Sequence, residues 1–153
     1  LTSTETARDR VDDPQKPDTS TAMSRSTITI CTTCKREELS LKPTTEAETP
    51  AHGEQLLEKV RAAAEGHETV AVRGVACLMG CSHGCNAAIT ADGKMSYVLG
   101  SFTPDEVSAG ALVEYAVKHA ENENGVVPYR QWPQGVKGHF VARIPPLERV
   151  ETN

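Results

Sequence analysis

The pattern of apolar and polar residues predicts an α/β domain that begins with a strand, a helix and a second strand. Residues 27–30 alternate in a β-rich run that ends directly at Cys31. Apolar residues then recur at helical spacing over residues 53–65, and Gly66 follows as a C-terminal stop. Valines within residues 70–75 predict the second strand, which runs into a segment rich in cysteine.

The second half of the domain has the pattern of a hairpin followed by a helix. Residues 87–90 and 95–99 flank an Asp-Gly pair, which is typical of a tight hairpin turn. The segment Thr103-Pro104-Asp105-Glu106 is a capping box with proline at the first helical position, so the helix is expected to start there and to end near Glu121. Residues 125–146 contain four prolines and little periodicity, and no element is predicted there.

This order predicts a βαβ unit followed by a ββα unit, which is the thioredoxin-like layout of the α/β class. A central mixed sheet with flanking helices is expected over residues 27–147. Residues 1–26 are polar and carry five apolar side chains, so they are expected to form a disordered tail, and 148–153 a C-terminal tail. Met23 lies just before the first strand and is a candidate native start.

Charge and composition exclude several classes of protein. The 153 residues carry 16 Lys and Arg against 21 Asp and Glu, a formal net charge of −5. This acidic balance argues against nucleic acid and anionic membrane surfaces as partners. There is no apolar run of the roughly 18–20 residues that span a bilayer, and no secretory or mitochondrial leader pattern. A cytoplasmic protein is expected.

The five cysteines fall into two groups, each placed directly after a predicted strand. Cys31 and Cys34 form a C-x2-C motif, and Cys77, Cys81 and Cys85 form C-x3-C-x3-C. Because neighbouring parallel strands of a βαβ unit end on the same side of a sheet, both groups are expected to meet there.

Converging thiolates admit three chemistries. An iron–sulfur cluster is held by four cysteines, and Gly80 and Gly84 would let the backbone curl around it. Structural zinc in an all-cysteine site is the second. The third is thiol–disulfide exchange at Cys31 and Cys34. Thioredoxins, however, carry a cis-proline beside that motif, and no proline occurs between Pro50 and Pro104.

The remaining candidates are weaker. His83 lies inside the cysteine loop, where it is a candidate ligand or a donor to sulfur. The other four histidines are scattered and are interpreted as surface or hydrogen-bonded residues. The sequence has no phosphate-binding loop and no Ser-His-Asp candidate.

Two families are similar to this sequence. Residues 75–112 resemble the C-terminal half of thioredoxin-like 2Fe–2S ferredoxins, in a C-x3-C loop, a short strand, a D-G turn, a strand and a "TP-E" helix start. This resemblance implies Cys77 and Cys81 as one ligand pair and Cys31 and Cys34 as the other. The ferredoxins space the first pair more widely and commonly have proline at position 85.

Residues 28–147 resemble a bacterial domain-of-unknown-function family, number 1636, described as predicted metal-binding proteins. The similar segments are ITICTTC, the cysteine loop, GKMSYVLG, VPYRQWP and ARIPPL. The resemblance implies metal or cluster binding, and members are often associated with cobalamin-related genes.

The expectation is therefore a non-enzymatic 2Fe–2S electron carrier that serves a larger redox partner protein, with Cys31, Cys34, Cys77 and Cys81 as ligands. Cys85 is a surplus thiol that could replace a metal ligand, lie next to the ligands without binding the metal, or form a transient disulfide. A zinc-binding structural module and a thiol–disulfide oxidoreductase are the alternatives.

Overall fold

The computed structural model describes residues 25–34 and 51–147, which form a five-stranded mixed sheet and two α-helices. The elements are β1 (Ser26–Cys31), α1 (His52–Ala64), β2 (Val70–Val75), β3 (Ala87–Thr90), β4 (Ser96–Leu99), α2 (Glu106–Glu121) and β5 (Phe140–Ile144). Apart from Arg25 and Ser26, the predicted tails lie outside the described residues. The α/β class and the mixed sheet are confirmed.

The sheet has the strand order β2-β1-β3-β4-β5. β1 and β2 are parallel, with Ser26 opposite Val70 and Cys31 opposite Val75, and every other pairing is antiparallel. β1 therefore lies inside the sheet, with a parallel neighbour on one side and an antiparallel neighbour on the other. We call the end of the sheet at Cys31 and Val75 the cysteine end.

The two helices pack against each other and against β1. Most of their apolar positions are buried, as the helical spacing predicts, but Val107 in the first turn of α2 is 75% exposed. The largest fully buried apolar side chains are Tyr115, Phe102, Ile28, Ile30, Leu56, Ile89, Leu99 and Leu112. In the described part of the chain, neither helix is long and apolar enough to cross a membrane.

β5 is the element that the sequence pattern does not predict. Four of its five residues are exposed, so its sequence has no alternation of buried and solvent-facing positions. It forms because it pairs with β4 at the edge of the sheet, with Arg143 opposite Tyr97. Phe140 anchors it through ring contacts at 5.5 Å to Tyr97 and 4.5 Å to Trp132.

The start of α2 differs from the prediction. The N-cap is Asp105, whose side chain accepts a hydrogen bond of 2.8 Å from the backbone N–H of Ser108, and Pro104 precedes the helix. A carboxylate at this position is a strong acceptor for an unsatisfied helical N–H, so the Asp105 cap sets the boundary in place of Thr103. The predicted end at Glu121 is confirmed.

His119 joins three elements at the end of the sheet opposite the cysteine end. Its ring is fully buried. Nε2 donates to the Met95 carbonyl at 2.7 Å, and Nδ1 lies 2.6 Å from the hydroxyl of Ser26, which donates to it. The buried Lys94 ammonium donates to the carbonyls of His119 and Ala120 and so caps the C-terminal turn of α2. Of the two interpretations given to the scattered histidines, surface or hydrogen-bonded, the second applies to His119.

We predict that acid destabilises the fold through His119. Burial lowers the pKa of its imidazole, and the Lys94 charge acts in the same direction, against the Met95 hydrogen bond. The unfolded chain therefore binds a proton at His119 more readily than the folded chain does. The free energy of unfolding should fall as the pH drops below about 6.5, by at most about 1.4 kcal/mol per pH unit for one proton.

Urea unfolding across this range measures the effect in wild type, His119→Gln and His67→Gln, the last at an exposed histidine. The His119→Gln variant should lose this part of the pH dependence, and His67→Gln should keep it. Equal slopes for wild type and His119→Gln would contradict the assignment.

Candidate functional site

The parallel pairing of β1 and β2 brings the two cysteine groups to one end of the sheet. Cys31 is the last residue of β1 and lies opposite Val75, the last residue of β2. The next residue, Thr32, continues the pairing, since its N–H and its hydroxyl both donate to the Val75 carbonyl, at 2.8 and 3.1 Å. Cys77 follows β2 by two residues.

The first turn of α1 holds the Cys31–Cys34 loop. The N–H of Gly53 donates to the Cys34 carbonyl at 3.0 Å. A Cβ at position 53 would lie 1.9 Å from the Cys31 carbonyl oxygen and 3.3 Å from the Cys34 nitrogen. Only glycine allows the helix to approach the loop this closely, and both thiols are buried as a result.

The thiols of Cys31 and Cys34 have opposite pKa shifts. For Cys31, burial acts to raise the pKa, but hydrogen bonds from the Cys34 side chain, the Leu78 backbone and Thr33 outweigh it and lower the pKa overall. For Cys34, burial and the hydrogen bond to Cys31 raise the pKa to about 12. Of the two sulfurs, Cys31 is therefore the one that takes negative charge first.

The second group lies mainly on the surface. Cys77 and Cys81 are exposed thiols, whereas Cys85 is fully buried. The loop turns through Met79, which has a positive φ of 61° and donates its N–H to the Cys77 sulfur at 3.2 Å. His83 is exposed in the same loop.

Contacts through Ala76 join the two groups. The Cys31 thiol lies 3.8 Å from the Ala76 carbonyl, to which the Thr33 hydroxyl also donates a hydrogen bond. On the other side of the site, the negative charge of Cys85 in its thiolate form helps to raise the Cys34 pKa, although burial has the larger effect. The Cys34 sulfur therefore lies close enough to both Cys31 and Cys85 for their charges to affect its pKa.

Asn86 is the residue of the site that the sequence does not identify. Its carbonyl accepts from the Cys31 N–H at 3.1 Å, and its side-chain Oδ1 accepts from the Cys34 thiol at 3.2 Å. Its Nδ2 is buried and has no hydrogen-bond partner among the described residues. A Cβ at Gly80 would lie 1.9 Å from Nδ2, so Gly80 lets the loop close over the amide. The available signal was its place directly after the last cysteine.

The structure brings Cys31 and Cys34 into contact and places Cys77, Cys81 and Cys85 in the adjoining loop. Within residues 25–34 and 51–147, no three Cys, His, Asp or Glu side chains form a group that could hold a metal ion. Lys35 and Arg36 follow Cys34 in the sequence, where their positive charges are expected to offset that of the thiolates, and they lie outside the described residues.

Comparison with protein families assigns the chain. The profile of a family described as "Protein of unknown function (DUF1636)" matches residues 28–146. The chain belongs to the DUF1636 family. The match includes all five cysteines and β5, so the site and the edge strand both fall within the family's domain. Comparisons with curated proteins and with solved structures find no match.

We predict that Gly53→Ala destabilises the DUF1636 domain and opens the Cys31–Cys34 loop. The added methyl group overlaps a backbone carbonyl that has no flexible end to move, so a loss of about 1–3 kcal/mol is expected. Urea unfolding and the rate of alkylation of the buried thiols measure both effects.

Gly110→Ala is the matched control, because it also lies in a helix but a Cβ there meets nothing within 4 Å. It should stabilise the protein by about 0.5–1 kcal/mol and leave alkylation unchanged. If the two substitutions had the same effect, the close approach of α1 to the loop would not constrain the site.

Proposed function

We propose that this DUF1636 protein is a small electron carrier that holds a 2Fe–2S cluster on Cys31, Cys34, Cys77 and Cys81. The observation that carries the proposal is the contact between the two cysteine loops at the cysteine end of the sheet. The Cys31 thiol and the Thr33 hydroxyl both reach the Ala76 carbonyl, directly before Cys77. Two ligand pairs from two loops provide the four thiolates that such a cluster requires.

The described Cys, His, Asp and Glu side chains form no metal-holding group as they stand, but some N–H groups of the site are placed to donate to ligand sulfurs. Thiolate ligands and bridging sulfides are negative and are stabilised by N–H groups that point at them. The Met79 N–H already donates to the Cys77 sulfur, and hydrogen bonds lower the Cys31 pKa toward the thiolate form. Nδ2 of Asn86 is a further buried N–H beside the loop. When bound, the cluster supplies one-electron transfer.

The exposure of the loop that carries Cys77 and Cys81 favours a role in electron transfer to a partner protein. Cys77 and Cys81 lie at the surface, while Cys31 and Cys34 are covered. Binding therefore requires the loop to close on the buried pair, and one side of the centre stays close to solvent. A redox partner protein can then approach within electron-transfer distance.

The wider proposal is a thioredoxin-like domain in the cytoplasm. The order β2-β1-β3-β4, with a parallel β1–β2 pair and an antiparallel β3–β4 hairpin before α2, supports that layout. Reducing conditions in the cytoplasm keep thiols available for metal. The association of the family with cobalamin-related genes makes a redox enzyme of that metabolism the first partner to test.

We predict that anaerobic reconstitution with iron and sulfide loads about two irons and two sulfides per chain. Serine at Cys31, Cys34, Cys77 or Cys81 should abolish or bleach the visible absorption and the EPR signal of the reduced centre, because each removes a thiolate ligand. Metal and sulfide analysis with both spectra measures the result.

Cys85→Ala is the control, since this buried cysteine is not among the four proposed ligands. It should retain the centre. If the reconstituted protein held stoichiometric zinc without iron or sulfide, the electron-carrier proposal would be contradicted and a zinc-stabilised module would be supported. Loss of the centre in Cys85→Ala with retention in Cys81→Ser would exchange these two residues as ligands.

Thiol–disulfide exchange is a second candidate that one observation favours. Cys31 and Cys34 form a hydrogen-bonded pair with a lowered and a raised pKa, as in a nucleophilic thiol and its resolving partner. If the protein is a thiol–disulfide oxidoreductase, Cys34→Ser should trap a mixed disulfide with a disulfide substrate and leave the metal content unchanged. If it is an electron carrier, Cys34→Ser should lose the iron–sulfur centre. The two hypotheses therefore predict opposite results for one variant.

A further inference from the structure

A groove with a volume of about 620 Å³ lies at the surface between α1 and α2, and we call it the helix groove. Its walls are the end of α1 around Ala63 and His67 and the part of α2 between Gly110 and Glu121. This part of α2 has three turns, so the helix groove is about 16 Å long. Because both helices end near Ser26, the groove lies toward the end of the sheet opposite the cysteine end.

Gly110 widens the helix groove, and no contact within the described residues requires a glycine there. It is exposed in the middle of α2, and a Cβ at this position would meet no atom within 4 Å. At Gly53, by contrast, a Cβ would overlap the Cys31 carbonyl, so internal packing accounts for that glycine. Glycine inside a helix is less stable than alanine. The space left by Gly110 is therefore open to a group from outside the described chain.

The lining of the helix groove is apolar at its bottom and acidic at its rim. Val113 is buried, and Ala63 and Val117 are half-buried, so they form an apolar strip that is open to solvent. Glu114 and Glu121 are exposed on the α2 side of this strip. They are two helical turns apart, which separates them by about 10 Å along the helix axis.

The charge around the helix groove is mainly negative. Residues 51–68 and 105–123, which contain both helices, carry nine Asp and Glu against three Lys and Arg. Residues 124–147 have the opposite balance, with three Lys and Arg and no Asp or Glu. Lys118 also lines the groove, and its ammonium donates to the Gln131 carbonyl at 2.6 Å. The groove therefore complements a ligand that is apolar on one side and positively charged beside it.

We propose that the helix groove binds a basic amphipathic helix of a partner protein. A third helix packs along the groove between two neighbouring helices, and a segment of three turns matches the length available. Its apolar stripe covers the strip around Val117, and a large apolar side chain occupies the space above Gly110. Lys or Arg side chains two turns apart pair with Glu114 and Glu121. This inference holds whether or not the cysteines bind a cluster.

The test titrates the full-length protein with two synthetic amphipathic peptides of about 18 residues, a length at which an isolated helix can form. Both have a face of leucine and alanine, and they carry either lysine or glutamate at positions two turns apart. Fluorescence anisotropy measures binding, and amide NMR shifts locate it. The lysine peptide should bind and shift the amides of Ala63, Gly110 and Val117. The glutamate peptide should bind at least about tenfold more weakly.

Matched substitutions separate the helix groove from the rest of the acidic surface. Gly110→Leu fills the groove and should weaken binding of the lysine peptide at least about tenfold. Ala62→Leu adds the same side chain at an exposed position of α1 outside the groove and should bind like wild type. Glu114→Gln and Glu121→Gln should each weaken binding about two- to fivefold and reduce its salt dependence. Glu58→Gln, exposed on α1 outside the groove, should not.

Each outcome supports or overturns the proposal. Shifts in the groove that Gly110→Leu removes and Ala62→Leu retains would support it. Equal binding of both peptides, or shifts confined to other surfaces, would overturn it. Self-association of the protein that Gly110→Leu abolishes would also overturn it, because a second copy of the chain would then fill the groove. Should Gly110→Leu fail to fold, the amide shifts in the wild type and the affinity of Glu114→Gln decide the question.

Discussion

The parallel pairing of β1 with β2 is the constraint on which the candidate site depends. Two short strands placed side by side in the same direction must deliver their following loops to the same end of the sheet. The register sets Cys31 opposite Val75, and Cys77 follows two residues after this last pair of the parallel strands. The α1 crossover between these strands then presses its first turn against the C-x2-C loop.

Two glycines allow close backbone and side-chain contacts that shape the candidate site at the cysteine end. Gly53 admits the Cys31 carbonyl on one side, and Gly80 admits the Asn86 amide on the other. Both are places where any side chain would separate elements that now touch. The environment of Cys34 follows from them, since it is buried between Cys31 and the Cys85–Asn86 segment and holds its proton tightly.

Most of the architecture could be predicted because its signals are local. The alternation before Cys31, the apolar spacing around Leu56 and the Asp-Gly turn each specify an element without reference to the rest of the chain. β5 could not be predicted, because its exposed residues form a strand only through pairing with β4. The sequence pattern places the N-cap of α2 two residues too early. Thr103 and Asp105 are both residue types that cap helices, and only the hydrogen bond from Ser108 shows that Asp105 is the cap.

The candidate site, like the fold, could be predicted only in part. The placement of both cysteine groups after neighbouring strands follows from the pattern, but their burial does not. C-x3-C-x3-C gives no sign that Cys85 is inside the core while Cys81 is outside it. The importance of Asn86 depends on contacts with residues about fifty positions away, including Cys34, and these exist only in the folded chain.

Because some cysteines are buried and others exposed, oxidants and alkylating reagents are expected to modify them in a fixed order. Cys77 and Cys81 meet any dissolved oxidant or alkylating reagent first, while Cys31, Cys34 and Cys85 are shielded by the fold. Damage therefore begins at the half of the site that contributes least to the core, and the domain can lose its chemistry while it stays folded. The same asymmetry allows a reagent or a fluorescent probe to be attached at the site without unfolding the chain.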